Sequence, residues 1–163
     1  MYICIKGIMQ QLNLPLLNAR IREGETGKRE IFDEIRKKYV RLTPEEWVRQ
    51  HFLNYMINHL GYPASLIVVE AAILCNGMKK RFDILTYNSN GHPNLVVECK
   101  APLVEITQAV FDQVAMYNMT LSVEYLVVTN GLAHYACKIN HDSKTYAFLK
   151  DMPTYALLKL NSG

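Results

Sequence analysis

The chain has 163 residues, half of them hydrophobic and a fifth charged, with a formal net charge of +3. That length accommodates one domain with a real core, and a chain this charged, with so few long apolar runs, is excluded as a membrane-spanning protein and expected to be soluble. The charge is too small to diagnose nucleic-acid binding, although it does not repel phosphate.

The start, Met1-Tyr2-Ile3-Cys4-Ile5-Lys6, lacks the basic head, apolar stretch and small-residue cleavage site of a secretory signal. A cytoplasmic location is expected. Residues 12–21 read as a strand, Arg22 to Arg29 as a polar turn region, and Glu30 to about Tyr39 as a short helix. Arg36, Lys37, Lys38 and Arg41 form the densest basic patch, either a solvated helix end or a surface for a phosphate backbone.

A clearer helix starts at Thr43-Pro44-Glu45-Glu46, where threonine suits the N-cap, proline the first turn and glutamate the helix dipole. It runs to about Leu60, with Gly61 as its C-terminal cap. Val48, Phe52, Tyr55, Met56 and Leu60 form its apolar stripe. At about 100° per residue, Glu45 falls within that stripe and Glu46 well off it, so Glu45 is expected to point inward. The alternative is that both glutamates serve the helix dipole and Arg49 pairs with Glu45.

Strands follow at Leu66 to Leu74, Arg81 to Tyr87 and Asn94 to Lys100, the last two joined by an Asn90-Gly91 hairpin turn. A register centred on that turn sets Asp83 opposite Glu98 and Arg81 opposite Lys100, and direct partners share a face. Glu98 and Lys100 share a face because side chains alternate along a strand. Two opposed carboxylates beside apolar Leu85 and Val96 need compensation, which a hard divalent cation supplies directly. The other reading is a solvated charge quartet of Asp83, Glu98, Lys100 and Arg81 at a strand end.

A second helix is expected from about Val104 to Asn118, with Gln113 and Tyr117 on its buried stripe beside Ile106, Val110 and Val114. A buried Gln113 needs partners, either in an acidic site or in the core. Glu124 to Thr129 reads as a buried strand, Asn130-Gly131 as a turn, and His134 to Ile139 with Thr145 to Leu149 as a hairpin. Cys4, Cys75, Cys99 and Cys137 have no zinc spacing and are expected to be reduced, the last three buried. His51, His59, His92, His134 and His141 lack metal-ligand spacing too, and structural or surface roles are expected. No G-x-S-x-G nucleophile elbow supports a serine hydrolase.

The element order helix, three strands, helix, strand, together with Glu45, Asp83, Glu98-Cys99-Lys100-Ala101-Pro102 and Gln113-x-x-x-Tyr117, resembles the PD-(D/E)XK nuclease superfamily. The resemblance is closest to the amino-terminal nuclease domain of type I restriction enzyme R subunits and covers roughly Thr43 to Ala136. Phe82 stands where the name-giving proline would precede the aspartate, a change that leaves the ligand chemistry untouched. The resemblance implies a restriction-endonuclease-like α/β fold, a mixed central sheet with an αβββαβ core flanked by helices. It also implies magnesium-dependent endonucleolytic hydrolysis of DNA, with manganese as a substitute, serving restriction or repair. Asp83, Glu98 and Glu45 would hold the metal, Lys100 would position or activate water, and Gln113 and Tyr117 would support the site.

No Gly-x-x-x-x-Gly-Lys-[Ser/Thr] loop is present, so a translocating motor or a specificity subunit is an expected separate partner, and a homodimer is compatible with double-strand cleavage. Without repeats or linkers, residues 1–163 read as one domain: an extension over 1–42, a nuclease core over 43–136 and terminal strands over 137–163. The competing function is a nucleic-acid or protein binding module that keeps the fold without cleavage.

Overall fold

The computed structural model describes residues 10–75, 77–119 and 121–160. Cys4 and the side chains of Cys75 and Tyr117 lie outside the described residues. Among the described residues, two sheets, three α-helices and one short 3-10 turn make up the architecture. A small antiparallel sheet contains β1 (Ile21–Glu23), β2 (Arg29–Asp33) and β3 (Lys38–Arg41) in that order.

This small sheet corrects two expectations. Residues 12–20 form no strand; Leu12 and Leu14 alternate because they pack on the main core. Residues 30–39 form a hairpin rather than a helix. Ile31 pairs with Val40 and Phe32 with Tyr39, so β-branched and aromatic residues meet across strands. Asp33 closes the turn by accepting from the backbone N–H groups of Ile35 and Arg36 at 2.8 and 2.7 Å.

Helix α1 (Pro44–Asn58) begins as its sequence predicts, with Thr43 Oγ1 accepting from Glu46 N at 3.0 Å. It ends at Asn58, with His59 as the cap and Gly61 at φ +77° beyond it. The main sheet follows in the order β4 (Ile67–Cys75), β5 (Met78–Tyr87), β6 (Pro93–Cys99), β7 (Tyr125–Thr129), β8 (His134–Asn140) and β9 (Thr145–Phe148). Only β6 and β7 pair in parallel among these neighbours. Their connection carries α2 (Gln108–Asn118), the crossover that a parallel pair requires. The run α1-β4-β5-β6-α2-β7 therefore follows the expected helix and strand order. A short α3 (Tyr155–Leu160), not foreseen among the terminal strands, places Leu158 in the core.

Alternation divides the main sheet between two cores. Leu95, Val97, Tyr125 and Val127 pack with Val48, Phe52 and Met56 of α1. On the other side, Val96, Leu126 and Val128 meet Phe111 and Ala115 of α2. Burial on both faces explains the uninterrupted apolar sequence of β7. Each fully buried large apolar side chain contributes roughly 1.5–3 kcal/mol, which fixes the helices against the sheet. Among the described residues, no helix is long and apolar enough to cross a membrane.

Candidate functional site

The β5–β6 register is the one the turn predicts: Ile84 faces Val97, Leu85 faces Val96 and Thr86 faces Leu95. A bulge near Thr86 and Tyr87 absorbs the turn's extra residue, and Gly91 adopts φ +78° there, a conformation glycine accepts without strain. Continuing the register brings Asp83 opposite Glu98. The regular ladder ends at Ile84 and Val97, and beyond it Asp83 Oδ2 accepts from Cys99 N at 2.8 Å. Just past the end of β6, Lys100 Nζ reaches back to Glu98 Oε1 at 3.0 Å.

The alternative reading, a solvated quartet of Asp83, Glu98, Lys100 and Arg81, does not assemble. Lys100 lies past the end of β6, where its backbone N–H donates to Thr129 O of β7 at 2.8 Å. Arg81 pairs with Glu70 instead. Glu70 occupies the β4 position across from Asp83, between the pairs Val69–Ile84 and Ala71–Phe82, with φ at +53°. Such a backbone is strained for a glutamate, and its three arginine partners, Arg36 at 2.8 Å, Arg81, and Arg49 at 3.7 Å, hold it there.

The two helix glutamates exchange their expected places. Glu46 is buried, whereas the Glu45 side chain is 47% exposed. Glu46 is the buried one because α1 packs a second, polar face, carrying Glu46, Arg49 and Gln50, against the small sheet. Arg36, from the turn between β2 and β3, binds Asp33 at 2.6 Å, Glu46 at 2.7 Å and Glu70 at 2.8 Å. It is therefore a half-buried structural arginine, and the basic patch that contained it is broken up. Gln50 donates to Asp33 and Glu46, both at 2.8 Å.

Glu45 nevertheless faces the acidic site. Burial raises its carboxyl above the ordinary value, and the Asp83 charge raises it further, against the pull of Arg49 and Lys100. Glu98 behaves alike: burial first, then Asp83, push its carboxyl up despite the Lys100 hydrogen bond. Burial alone would lower the Lys100 ammonium, but its hydrogen bond and attraction to Glu98, with Asp83 and Glu45, raise it. Lys100 is thus a fixed cation, suited to donating hydrogen bonds rather than removing protons.

Arg49 is the residue whose importance the sequence did not disclose. Its guanidinium binds Asp83 Oδ1 at 2.6 Å and Glu46, and stands 3.4 Å from Glu45. Helical spacing pointed to the glutamates, but nothing local pointed across 34 residues to Asp83. Gln113, in contrast, is exposed, because α2 buries Phe111, Ala115 and Asn118, a stripe displaced from the expected one. His51 and His134 hold backbone carbonyls of Trp47 and Asn13, which satisfies structural roles. Cys99 and Cys137 are free and buried.

Three carboxylates, a fixed ammonium and a guanidinium thus meet where α1 approaches β5 and β6. The model of the type I restriction enzyme R protein N terminus matches residues 44–153, which spans all of these groups. The chain belongs to that family. A fragment of a putative HsdR subunit of a type I restriction enzyme from Vibrio vulnificus YJ016 is similar in fold, with a TM-score of 0.52 and 20% sequence identity. The likeness covers 72% of this chain and 25% of that one, so the chain spans about a quarter of the length of this structural relative. A comparison with curated proteins finds no match.

Donor chemistry at the site fits a hard divalent cation: carboxylate oxygens that raise one another's proton affinity are relieved by a metal. Among the described residues, no three His, Cys, Asp or Glu side chains are already arranged as a ligand set. Both oxygens of Asp83 hold protein donors, from Arg49 and Cys99.

Proposed function

We propose that this chain is a PD-(D/E)XK-type, restriction-endonuclease-like nuclease domain that hydrolyses DNA phosphodiester bonds with magnesium, or manganese in its place. The observation that carries the proposal is the gathering of Asp83, Glu98 and Glu45 around Lys100, with Glu45 and Glu98 repelled by neighbouring charge. Membership of the R-protein amino-terminal family supports a role in restriction.

Asp83 and Glu98 would hold the cation, with Glu45 completing the acidic set. When bound, the metal supplies Lewis-acid polarisation and a more acidic water. Lys100 keeps its proton, so its part is to orient the nucleophile and stabilise negative charge developing on phosphoryl oxygen. Cys99 N–H fixes one oxygen of Asp83 and so orients the carboxylate. Gln113, exposed on α2, is available to a substrate strand rather than to the ligands. DNA is the substrate, a separate motor or specificity subunit delivers it, a homodimer supplies two cuts, and the cytoplasm is the site of action.

One observation favours a second reading, a binding module without cleavage: Arg49 and Lys100 already pair with Asp83 and Glu98. Cleavage of supercoiled, linear and single-stranded DNA by wild type and Lys100→Ala, with magnesium, manganese or chelator, decides between them. Metal-dependent nicking that disappears in the variant supports the nuclease. Absence of both cleavage and metal binding supports the module.

A further inference from the structure

We propose that Arg49 and a divalent cation compete for Asp83, so that Arg49 sets the cation affinity of the site. This rests on the metal-binding part of the proposed function and goes beyond it by assigning a role to a residue outside the ligand set.

Arg49 projects from the polar face of α1, and its side chain is only 5% exposed. The fork is divided. Nη1 is held by Glu46 and stands 3.7 Å from Glu70 Oε1, while Nη2 lies 2.6 Å from Asp83 Oδ1 and 3.4 Å from Glu45 Oε1. Nε is buried without a hydrogen-bond partner. A purely structural arginine on α1 would satisfy its fork within the Glu46 and Glu70 cluster. Instead, half of the fork is committed to the carboxylate that the proposed chemistry needs, and one donor is left unsatisfied.

Asp83 has little freedom to accommodate both cations. Oδ2 is fixed by Cys99 N–H at 2.8 Å, so the carboxylate cannot swing to present a fresh oxygen without breaking that bond. A divalent ion on Oδ1 would sit beside a guanidinium in a partly buried setting, where like charges interact more strongly than in water. The guanidinium must therefore withdraw. Glu70 offers the destination: its carboxylate already lies beside Nη1 and also carries Arg36 and Arg81. Withdrawal needs rotation about the terminal bonds of Arg49, with Glu46 as the pivot.

The test is a magnesium titration by calorimetry on the full chain: wild type, Arg49→Met and Arg49→Lys, each with and without Asp83→Asn. Arg49→Met is expected to bind magnesium at least tenfold more tightly than wild type. Arg49→Lys, which retains the charge, should stay within threefold, and Asp83→Asn should remove binding in every background. Damage to the fold would weaken affinity, so a gain distinguishes competition from a structural role. Equal or weaker binding by Arg49→Met, with wild type still binding, overturns the competition and leaves the metal reading standing. No binding by any protein overturns the metal reading and this inference with it. Should Arg49→Met fail to fold by circular dichroism, the Arg49 Nε resonance of nitrogen-labelled wild type is followed through the same titration. It should move in step with saturation; a stationary resonance while Asp83-dependent binding proceeds overturns the proposal.

Discussion

Glu98→Gln should stabilise the protein at neutral pH without metal and destabilise it relative to wild type when magnesium saturates. Glutamine retains an oxygen for Lys100 Nζ, which lies 3.0 Å from Glu98 Oε1, but removes the charge that faces Asp83 and Glu45. Opposed like charges on a sheet cost roughly 0.2–1 kcal/mol, and losing charge assistance from the Lys100 pair returns a few tenths of that. The raised Glu98 carboxyl indicates that burial and repulsion outweigh Lys100, so the net gain is about 0.5 kcal/mol. For a chain of this size that moves Tm up by roughly 1–2 °C.

Because the folded carboxyl titrates above its ordinary value of 4.5, the fold favours the protonated acid. The wild-type penalty is therefore absent below that value and grows as pH rises through the folded pKa. Urea melts at pH 7 and pH 4 should show a gain at the higher pH that shrinks at the lower. Magnesium at tenfold its Kd adds about 1.4 kcal/mol to wild type, reversing the order. A variant destabilised by more than about 1 kcal/mol at pH 7 without metal would show that the half-buried Lys100 pair outweighs the repulsion, and would refute the prediction.

Two further substitutions test the surrounding frame. Asp33→Ala should cost about 3 kcal/mol in urea denaturation at pH 7, because buried Asp33 accepts from Ile35 N, Arg36 N, Arg36 Nε and Gln50 Nε2. Burial raises the Asp33 carboxyl, but those bonds win and hold it below its ordinary 3.8, so its contribution is present above that pH and lost as pH falls through the folded pKa. The difference between variant and wild type should accordingly narrow in acid; an unchanged urea midpoint at pH 7 would remove Asp33 from the frame. Gly131→Ala should cost about 2–4 kcal/mol, combining a left-handed backbone with overpacking. Its φ is +82°, and a Cβ there would lie 2.8 Å from Leu12 Cδ2 and 3.1 Å from Val48 Cγ2. A calorimetric Tm within 2 °C of wild type would show that the chain over residues 12–14 yields freely.

The sequence by itself determined the features whose causes are local. Thr43-Pro44-Glu45-Glu46 starts α1 because capping is satisfied within one turn. The Asn90-Gly91 turn and the strand alternation on either side carry the β5–β6 register from Thr86 and Leu95 to Ile84 and Val97, and the unbroken apolar run of β7 announces burial on both faces. Tertiary structure decided what depends on a distant surface. Residues 30–39 have helical charge spacing, yet become a hairpin because Arg36 and Asp33 meet Glu46 and Gln50 of α1. Glu45 and Glu46 differ by one step on a helix, and only the presence of a second sheet against α1 determines which is buried. Likewise, a stripe displaced along α2 turns Gln113 outward, and only chain packing brings Arg49 to Asp83. Periodicity locates an apolar face to within about a residue. The pairing of buried charges depends on which elements converge, because a buried ion is tolerable only where its partner has been carried to it.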